Sequence, residues 1–191
     1  MLQKKYIRKF FLRLRKNLSE KEINCYSEMI LEVLKKTNIL SYQSYHIFLP
    51  IIENKEVNTK YIIEYLYQEN KKIYIPKILN DNLISIKWEK DLLLKKGKWN
   101  IVEPFYNDNQ YNISFEIIFV PMIVSDKFGN RVGYGKGFYD RFLQEQSFAK
   151  KVGLCLFDAL DDEIETHSND IKLDYLVTPC RMVSFSPKEV K

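Results

Sequence analysis

Four of the six glycines in this chain lie within residues 129–137. Three of them alternate with other residues, at Gly133, Gly135 and Gly137. Alternating glycines let a backbone pass through positive φ and bring its N–H groups close to a ligand. Three cations accompany them along the chain: Arg131, Lys136 and Arg141. Amides and cations in this order predict a concave site for an anion such as a phosphate.

The flanks of this segment predict a strand before it and a helix after it. Residues 117–124 are almost entirely apolar, as in a strand covered on both faces, and a helical pattern begins at Phe138. The segment is neither a Walker loop, since Gly137 follows Lys136, nor a dinucleotide fingerprint, which needs glycine at position 138. A flexible turn that merely needs glycine is the alternative, but it leaves the three cations without a role.

The basic excess of the chain lies in its first 19 residues, which contain seven Lys or Arg and no acid. Lys4 and Arg8 are four positions apart and therefore share a helix face, where two like charges repel by roughly 0.2–0.5 kcal/mol. A bound polyphosphate would turn this repulsion into affinity. The pattern leaves two interpretations open, a solvated basic face and a pair of phosphate ligands.

Several other residues each allow one structural and one functional interpretation. Asp140 either complements the dipole of the helix after the loop or binds magnesium, with Asp170 or Asp174 as the second carboxylate. Trp99, in a polar stretch, either fills the core or stacks on a flat ligand. Glu56 either is a surface acid or makes two parallel hydrogen bonds to a guanidine-like heterocycle.

Apolar periodicity predicts alternating helices and strands, hence an α/β layered domain with a mostly parallel sheet. A capping box at Ser19–Glu22 starts the second helix, and Thr59 is predicted to cap the third. The predicted helices cover residues 3–16, 19–37, 59–67 and the segment from 138. The predicted strands cover residues 45–49, 72–76, 83–88, 117–124, 152–157 and 175–178. With no linker composition, we expect one domain over residues 1–191.

The composition further narrows the possible classes of protein and of site. No apolar stretch approaches the roughly 18 residues of a membrane span. The three cysteines, Cys25, Cys155 and Cys180, have no CxxC spacing, so a disulfide framework or a zinc site is not indicated and a reducing cytoplasm is expected. His46 and His167 are isolated, which argues against a role in metal binding or catalysis.

Taken in order, these residues resemble the 5-formyltetrahydrofolate cyclo-ligase family, also called methenyltetrahydrofolate synthetases. The most specific part is Gly-Asn-Arg-Val-Gly-Tyr-Gly-Lys-Gly-Phe-Tyr-Asp at residues 129–140. Four other places also match: Lys4 with Arg8, residues 48–59, residues 98–100 and residues 170–174. The resemblance therefore covers essentially the whole chain. Phe138 stands where many members have Tyr.

The resemblance implies a role for each matching residue. The implied ATP ligands are Lys4, Lys5, Arg8, Arg131, Gly133, Tyr134, Gly135, Lys136, Gly137, Phe138 and Tyr139. The implied folate contacts are Phe48, Leu49, Glu56, Trp99, Tyr134, Gly135, Lys136, Gly137 and Phe138. The implied magnesium carboxylates are Asp140 and Asp170, and the implied catalytic residues are Arg131, Lys136 and Tyr139.

The resemblance also implies a three-layer α/β/α sandwich and an activity. The reaction would convert 5-formyltetrahydrofolate to 5,10-methenyltetrahydrofolate, with ATP as co-substrate, Mg2+ as cofactor, and release of ADP and phosphate. We expect a cytoplasmic monomer with small-molecule substrates, without nucleic-acid or membrane partners. Two rivals are a sugar-phosphate isomerase or acyl-CoA enzyme, and a nucleic-acid-binding module with the basic N-terminal helix as its arm.

Overall fold

The structure, a computed structural model, describes residues 1–97, 101–105 and 113–185. The helices are α1 (Lys4–Lys16), α2 (Glu20–Lys35), α3 (Lys60–Gln68) and α4 (Phe138–Glu145), with 3-10 turns at Asn38–Ser41 and Ile52–Asn54. The strands are β1 (Ser44–His46), β2 (Lys72–Leu79), β3 (Asn82–Lys87), β4 (Leu94–Lys96), β5 (Val102–Pro104), β6 (Ile117–Pro121), β7 (Val124–Ser125), β8 (Arg131–Val132), β9 (Lys150–Leu154), β10 (Tyr175–Val177) and β11 (Met182–Ser184). The predicted site residue Trp99 lies outside the described ranges.

A seven-stranded sheet in the order β11-β10-β9-β6-β1-β2-β3 forms the centre of the fold. The five inner strands are parallel, and β3 and β11 pair antiparallel at the two edges. This confirms the predicted mostly parallel sheet. Strand β2 pairs with one edge of β1, and β6, which comes later in the chain, pairs with the other edge of β1. The sheet therefore has its switch point between β1 and β6, where α/β proteins bind ligands beyond the strand ends.

Strand β6 shows how the sheet separates two apolar layers. Its side chains alternate, with Ile117 and Phe119 in one buried cluster and Ile118 and Val120 in the other. The first cluster also contains buried residues of α2 and α3, and the second contains Phe142 of α4. Helices thus cover both faces, which confirms the three-layer α/β/α arrangement. No helix in the described ranges is long and apolar enough to cross a membrane.

The two predicted helix caps had different outcomes. The capping box is present, because Ser19 Oγ accepts from the Glu22 amide at 3.2 Å and Glu22 Oε2 accepts from the Ser19 amide at 2.7 Å. Thr59 precedes α3, but the prediction that its side chain caps the helix is wrong. Its buried hydroxyl donates instead to the Phe48 carbonyl at 2.7 Å. That bond ties the start of α3 to the segment that follows β1.

The apolar run at residues 117–124 is not a single strand, contrary to the sequence prediction. Strand β6 ends at Pro121, and β7 then pairs antiparallel with β8 in a hairpin. The buried carboxylate of Asp126 organises the hairpin turn by accepting from the Asn130 amide at 2.9 Å. Gly129, with φ of 83°, belongs to this turn and lies against the Leu173 carbonyl. It is therefore not part of the glycine loop, which we define as residues 133–137.

Candidate active site

A cavity of about 970 Å³ opens at the switch point of the sheet. Phe48 and Leu49, which follow β1, and Pro121, which ends β6, form its floor, and α1 and the glycine loop form two of its walls. Every residue to which the resemblance assigns a role, and which the structure describes, lines this cavity: Lys4, Lys5, Arg8, Phe48, Leu49, Glu56, Arg131, Gly133, Tyr134, Gly135, Lys136, Gly137, Phe138, Tyr139, Asp140 and Asp170. The structure thus brings together residues that lie up to 166 positions apart in the chain.

The glycine loop has the backbone conformation predicted for two of its three glycines. Gly135 and Gly137 have φ of 85° and 68°, whereas Gly133 is not in the positive-φ region. Gly137 occupies the position before the first residue of α4, and no side chain in the described ranges caps that helix. The N-terminal amides of α4 therefore have no capping side chain at a helix end that lines the cavity. Such an end favours an anion.

Gly135→Ala should weaken binding of the ATP that the sequence resemblance implies as co-substrate. Its positive φ strains any L-residue, and a Cβ there would lie 3.3 Å from the guanidinium of Arg8. We expect KM for ATP to rise about tenfold, which corresponds to about 1.4 kcal/mol and lies within the roughly 1–3 kcal/mol that such backbone strain costs. Steady-state kinetics with ATP varied would measure it. Gly133→Ala is the matched comparison, since a Cβ there meets nothing within 4 Å. An equal or larger effect at Gly133 would contradict the argument.

The two cations of α1 that were singled out in the sequence both line the cavity. Arg8 Nε donates to the Gly133 carbonyl at 2.8 Å, which joins α1 to the glycine loop. Lys4 Nζ forms a salt bridge with Asp170. The interpretation of this pair as a merely solvated basic face is therefore wrong. The same placement argues against an N-terminal arm for nucleic acid, because these charges face the cavity of their own domain.

Arg131 lies on β8 and not in a loop, and its side chain is buried. Its NH2 group donates to Asp140 Oδ1 at 2.6 Å, and its NH1 group donates to the Ile171 carbonyl. Burial lowers the pKa of the guanidinium, and Asp140 and Asp170 oppose that shift. A guanidinium remains charged in either case. Arg131 therefore connects the two predicted magnesium carboxylates electrostatically.

Asp170 has the environment of an ionised carboxylate. Burial alone would raise its pKa, but hydrogen bonds from Lys4 and from the His167 amide, at 2.6 Å, hold the pKa below its usual value. Asp174, the alternative second carboxylate in the sequence, instead accepts from the Lys151 amide at 2.7 Å and does not line the cavity. The structure therefore favours Asp170 over Asp174 as a partner of Asp140 in the site.

Glu56 lines the cavity but is buried, with 5% of its surface exposed, so its interpretation as a surface acid is wrong. Its Oε2 accepts from the Ile51 amide at 2.7 Å. Burial raises the pKa of Glu56 above its usual value, although the Ile51 amide, the nearby Tyr134 hydroxyl and the charge of Arg15 oppose that shift. A desolvated carboxylate in a cavity wall is typical of a recognition or catalytic group.

Tyr139 lines the cavity from the first turn of α4. Its hydroxyl is buried and has no hydrogen-bond partner within the described part of the chain. Burial raises the pKa of this phenol well above its ordinary value, with a further contribution from Glu56. Its ring lies 6.1 Å from that of His46, which is itself fully buried and whose pKa is lowered to about 3 by burial. Tyr139 is therefore a neutral donor and not a base.

One buried cation beside the cavity was not predicted from the sequence. Arg15 lies in the last turn of α1, and its NH2 group donates to the Tyr134 hydroxyl. A helical projection could have found it, because residues 4 and 15 are eleven positions apart, which is almost exactly three turns. Lys4, Arg8 and Arg15 therefore share one face of α1.

The fold and this cavity define a class of protein, an α/β enzyme whose site suits a phosphate-bearing ligand beside a flat polar one. The particular family follows from comparison with known proteins. The sequence profile of the 5-formyltetrahydrofolate cyclo-ligase family matches residues 1–179, and the chain belongs to that family of ligases.

Individual relatives agree with the family assignment. The chain is 30% identical over 173 residues to the 5-formyltetrahydrofolate cyclo-ligase of Haemophilus influenzae, covering 86% of this chain and 88% of that protein. It is 34% identical over 146 residues to a probable 5-formyltetrahydrofolate cyclo-ligase of Schizosaccharomyces pombe, covering 68% and 72%. The solved structure of Aquifex aeolicus 5,10-methenyltetrahydrofolate synthetase has a TM-score of 0.77 at 26% identity, covering 98% of this chain and 96% of that one.

Proposed function

We propose that this protein converts 5-formyltetrahydrofolate to 5,10-methenyltetrahydrofolate, with ATP consumed to ADP and phosphate and with Mg2+ required. The observation that supports the proposal is that one cavity is lined by two chemically different groups of residues. The lining includes the glycine loop, several cations and the N-terminus of α4, which no described side chain caps, and it also includes the buried carboxylate of Glu56 with Phe48 and Leu49. The first suits a triphosphate and the second a reduced pterin.

The proposed reaction needs ATP because the formyl oxygen is a poor leaving group. The formyl oxygen attacks the γ-phosphorus, the bond from that phosphorus to the ADP oxygen breaks, and ADP departs. N10 then attacks the formyl carbon, and phosphate leaves with the former formyl oxygen. The proton of N10 is lost to solvent, which leaves the methenyl cation. The protein's task in this sequence is positioning and charge neutralisation.

The chain's own residues can perform that task. Lys4, Arg8 and Lys136 place positive charge around the space in front of the glycine loop, where the triphosphate would lie. Glu56 can accept two parallel hydrogen bonds from the amino group and ring nitrogen of the pterin, which would fix its orientation. Tyr139 can donate its unpartnered hydroxyl to a polar atom of the bound substrate.

The residues also fit a magnesium ion. Within the described ranges no three His, Cys, Asp or Glu side chains converge on a metal centre. Magnesium, however, is commonly held by one or two carboxylates together with substrate phosphates and water. Asp140 and Asp170 can supply those carboxylates, and both are now paired with cations, Arg131 and Lys4 respectively. When bound, the metal would neutralise the developing phosphate charge.

Asp170→Asn should raise the Mg2+ concentration that gives half-maximal activity by about tenfold, the lower end of the effects seen when a metal site loses a supporting group. A magnesium titration of the initial rate at saturating ATP measures it. Asp162→Asn, which changes an exposed carboxylate outside the cavity, is the control and should not change the titration. Superimposable curves for Asp170→Asn and the wild type would remove Asp170 from the proposed site.

A spectrophotometric assay tests the proposed function directly. Protein mixed with Mg-ATP and 5-formyltetrahydrofolate should develop the absorbance of the methenyl product and release one ADP per product. A protein that bound these compounds without producing ADP would favour an isomerase or acyl-CoA enzyme on a similar sheet. Salt-sensitive binding of RNA without turnover would favour the nucleic-acid-binding alternative.

The proposal also covers the domain organisation, the oligomeric state and the cellular location of the enzyme. We propose a single domain over residues 1–191, which the profile match to residues 1–179 supports. We also propose that the enzyme is a monomer. Cys25, Cys155 and Cys180 are free thiols, which supports a cytoplasmic location with its reducing conditions.

A further inference from the structure

Lys77, in the second half of β2, is a buried cation that the proposed chemistry does not use. Its exposed fraction is 5%. Its ammonium donates to the Pro104 carbonyl at 2.8 Å and to the Phe105 carbonyl at 3.2 Å. Because a charge is costly to bury unless polar groups compensate it, these two bonds are what makes the position tolerable. They fix the end of β5 to β2.

Lys77 lies between two residues of β2 that line the active-site cavity, Pro76 and Ile78. Successive side chains of a strand point to opposite faces, so Lys77 points away from the face on which Pro76 and Ile78 lie. Strand β1 pairs with residues 72–74 of β2, and Lys77 is beyond the end of that pairing. The side chain of Lys77 therefore connects β2 to β5 directly beside the cavity.

The β4–β5 pair reaches the same cavity through Ile101. The Ile101 carbonyl accepts from the Gly97 amide at 2.8 Å, and at the other end of the pair the Phe105 amide donates to the Leu93 carbonyl at 2.8 Å. Because these bonds flank the ladder at both ends, β4 and β5 are joined along their whole length. A displacement of β5 at Pro104 would therefore be transmitted to Ile101.

The β4–β5 pair is also attached to the segment that holds Glu56. Lys96 Nζ lies 3.2 Å from Glu53 Oε1, and Glu53 belongs to the 3-10 turn directly after Ile51, whose amide donates to Glu56. Both side chains of this salt bridge are largely exposed, and exposed ion pairs contribute little. The buried bonds of Lys77 are therefore the stronger attachment. We expect Ile101 to serve the part of the cavity in which Glu56 would bind the pterin.

We propose that Lys77 is a positioning residue that holds β5 on β2 and thereby keeps Ile101 in place against the bound folate. This inference rests on the proposed function, because it concerns the folate subsite of the same cavity. Lys77 does not itself line the cavity, so it acts on the substrate only through the β4–β5 pair. It determines the affinity for the folate and not that for ATP, since none of the residues proposed for ATP belongs to β4 or β5.

Lys77→Met removes the donor but keeps a long, unbranched side chain. We expect KM and Kd for 5-formyltetrahydrofolate to rise about tenfold, the size of losing a charged hydrogen bond, while KM for ATP changes less than about twofold. Kinetics with each substrate varied in turn, and equilibrium binding of 5-formyltetrahydrofolate without ATP, measure these values. Lys77→Arg should restore most of the affinity, since a guanidinium also donates. An unchanged KM for the folate in folded Lys77→Met, or equal rises for both substrates, overturns the inference.

A double-mutant cycle separates positioning from a merely structural role. Ile101→Ala removes the side chain through which Lys77 would act, and by itself it should raise KM for the folate about tenfold. Lys77→Met combined with Ile101→Ala should then also stay near a tenfold rise, because two changes that act through one contact do not add. A roughly hundredfold rise in the double variant would mean that the two residues act independently, and the inference would be wrong.

Two further variants serve as controls. Lys72→Met removes an exposed lysine from the first position of the same strand and should leave both KM values unchanged. Ile30→Val trims a fully buried side chain of α2 outside the cavity, and it should lower Tm without changing KM for the folate. A rise in KM with Ile30→Val would mean that destabilisation alone explains the effect of Lys77→Met.

Lys77→Gln decides the question if Lys77→Met does not fold. Its amide can still donate to one of the two carbonyls, and it should again raise KM for the folate and not that for ATP. A folded Lys77→Gln with wild-type KM for the folate contradicts the inference. A wild type that forms no methenyl product contradicts the proposed function itself, whereas a wild type that forms it while the Lys77 variants keep its affinity for the folate contradicts only this inference.

Discussion

Lys136→Ala is expected to lower kcat for ATP-dependent methenyl formation by about 10²- to 10³-fold, the usual effect of removing one preorganised charge from a transition state. Lys136 lies between the two positive-φ glycines of the loop, Gly135 and Gly137, and lines the cavity in front of α4. In the proposed reaction, its ammonium would neutralise negative charge that builds up on the transferring phosphoryl group. Initial rates at saturating 5-formyltetrahydrofolate and Mg-ATP would measure the loss.

The fold of this variant should be unaffected, because Lys136 is exposed and substitutions at exposed positions usually change the free energy of unfolding by less than about 0.5 kcal/mol. Lys127→Ala is a matched control. Lys127 is also an exposed lysine in a turn, but it lies in the β7–β8 hairpin and does not line the cavity. We expect it to keep wild-type rates. A Lys136→Ala enzyme with normal kcat would remove Lys136 from the catalytic assignment.

Local signals explain what the sequence predicted correctly. The glycine loop could be predicted because glycine adopts positive φ more readily than other residues. Gly135 and Gly137 do have positive φ. The parallel sheet and its covering helices could be predicted because apolar periodicity records which faces are buried. The order of strands then places the ends of β1 and β6 at the switch point, so residues far apart in the chain converge there.

The contacts that the sequence did not predict depend on tertiary pairing. The apolar run at 117–124 reads as one strand, so the β7–β8 hairpin, and with it the burial of Arg131, has no local signal. Glu56 was interpreted as a surface acid because most of its chain neighbours are polar, and its burial depends on tertiary packing that those neighbours do not report. Arg15 could have been found from its helical register with Lys4 and Arg8, but a charged residue on a helix is rarely buried.

Arg131→Met should be the most damaging single substitution in the site, because it breaks a buried ion pair. The side chain of Arg131 is 6% exposed and that of its partner Asp140 is 27% exposed. Breaking such a pair leaves an uncompensated carboxylate, and we expect a loss of about 3 kcal/mol in the free energy of unfolding, the lower end of the usual range because Asp140 is partly solvated. Urea denaturation followed by circular dichroism measures the loss, and methenyl formation should fall below detection.

A second substitution separates the structural from the catalytic part of this effect. In Arg131→Met with Asp140→Asn the unpaired charge is gone, so part of the lost stability should return, while activity should remain absent because both the cation and the proposed metal carboxylate are missing. Arg181→Met is the control, since it breaks an Arg–Asp pair with Asp158 at 3.5 Å in which both side chains are at least half exposed. Such exposed pairs contribute about 0–1 kcal/mol. If the double variant were no more stable than Arg131→Met alone, Asp140 would not be the group whose charge Arg131 compensates. The Arg131–Asp140 pair would then not be what connects the stability of β8 to the proposed metal carboxylate.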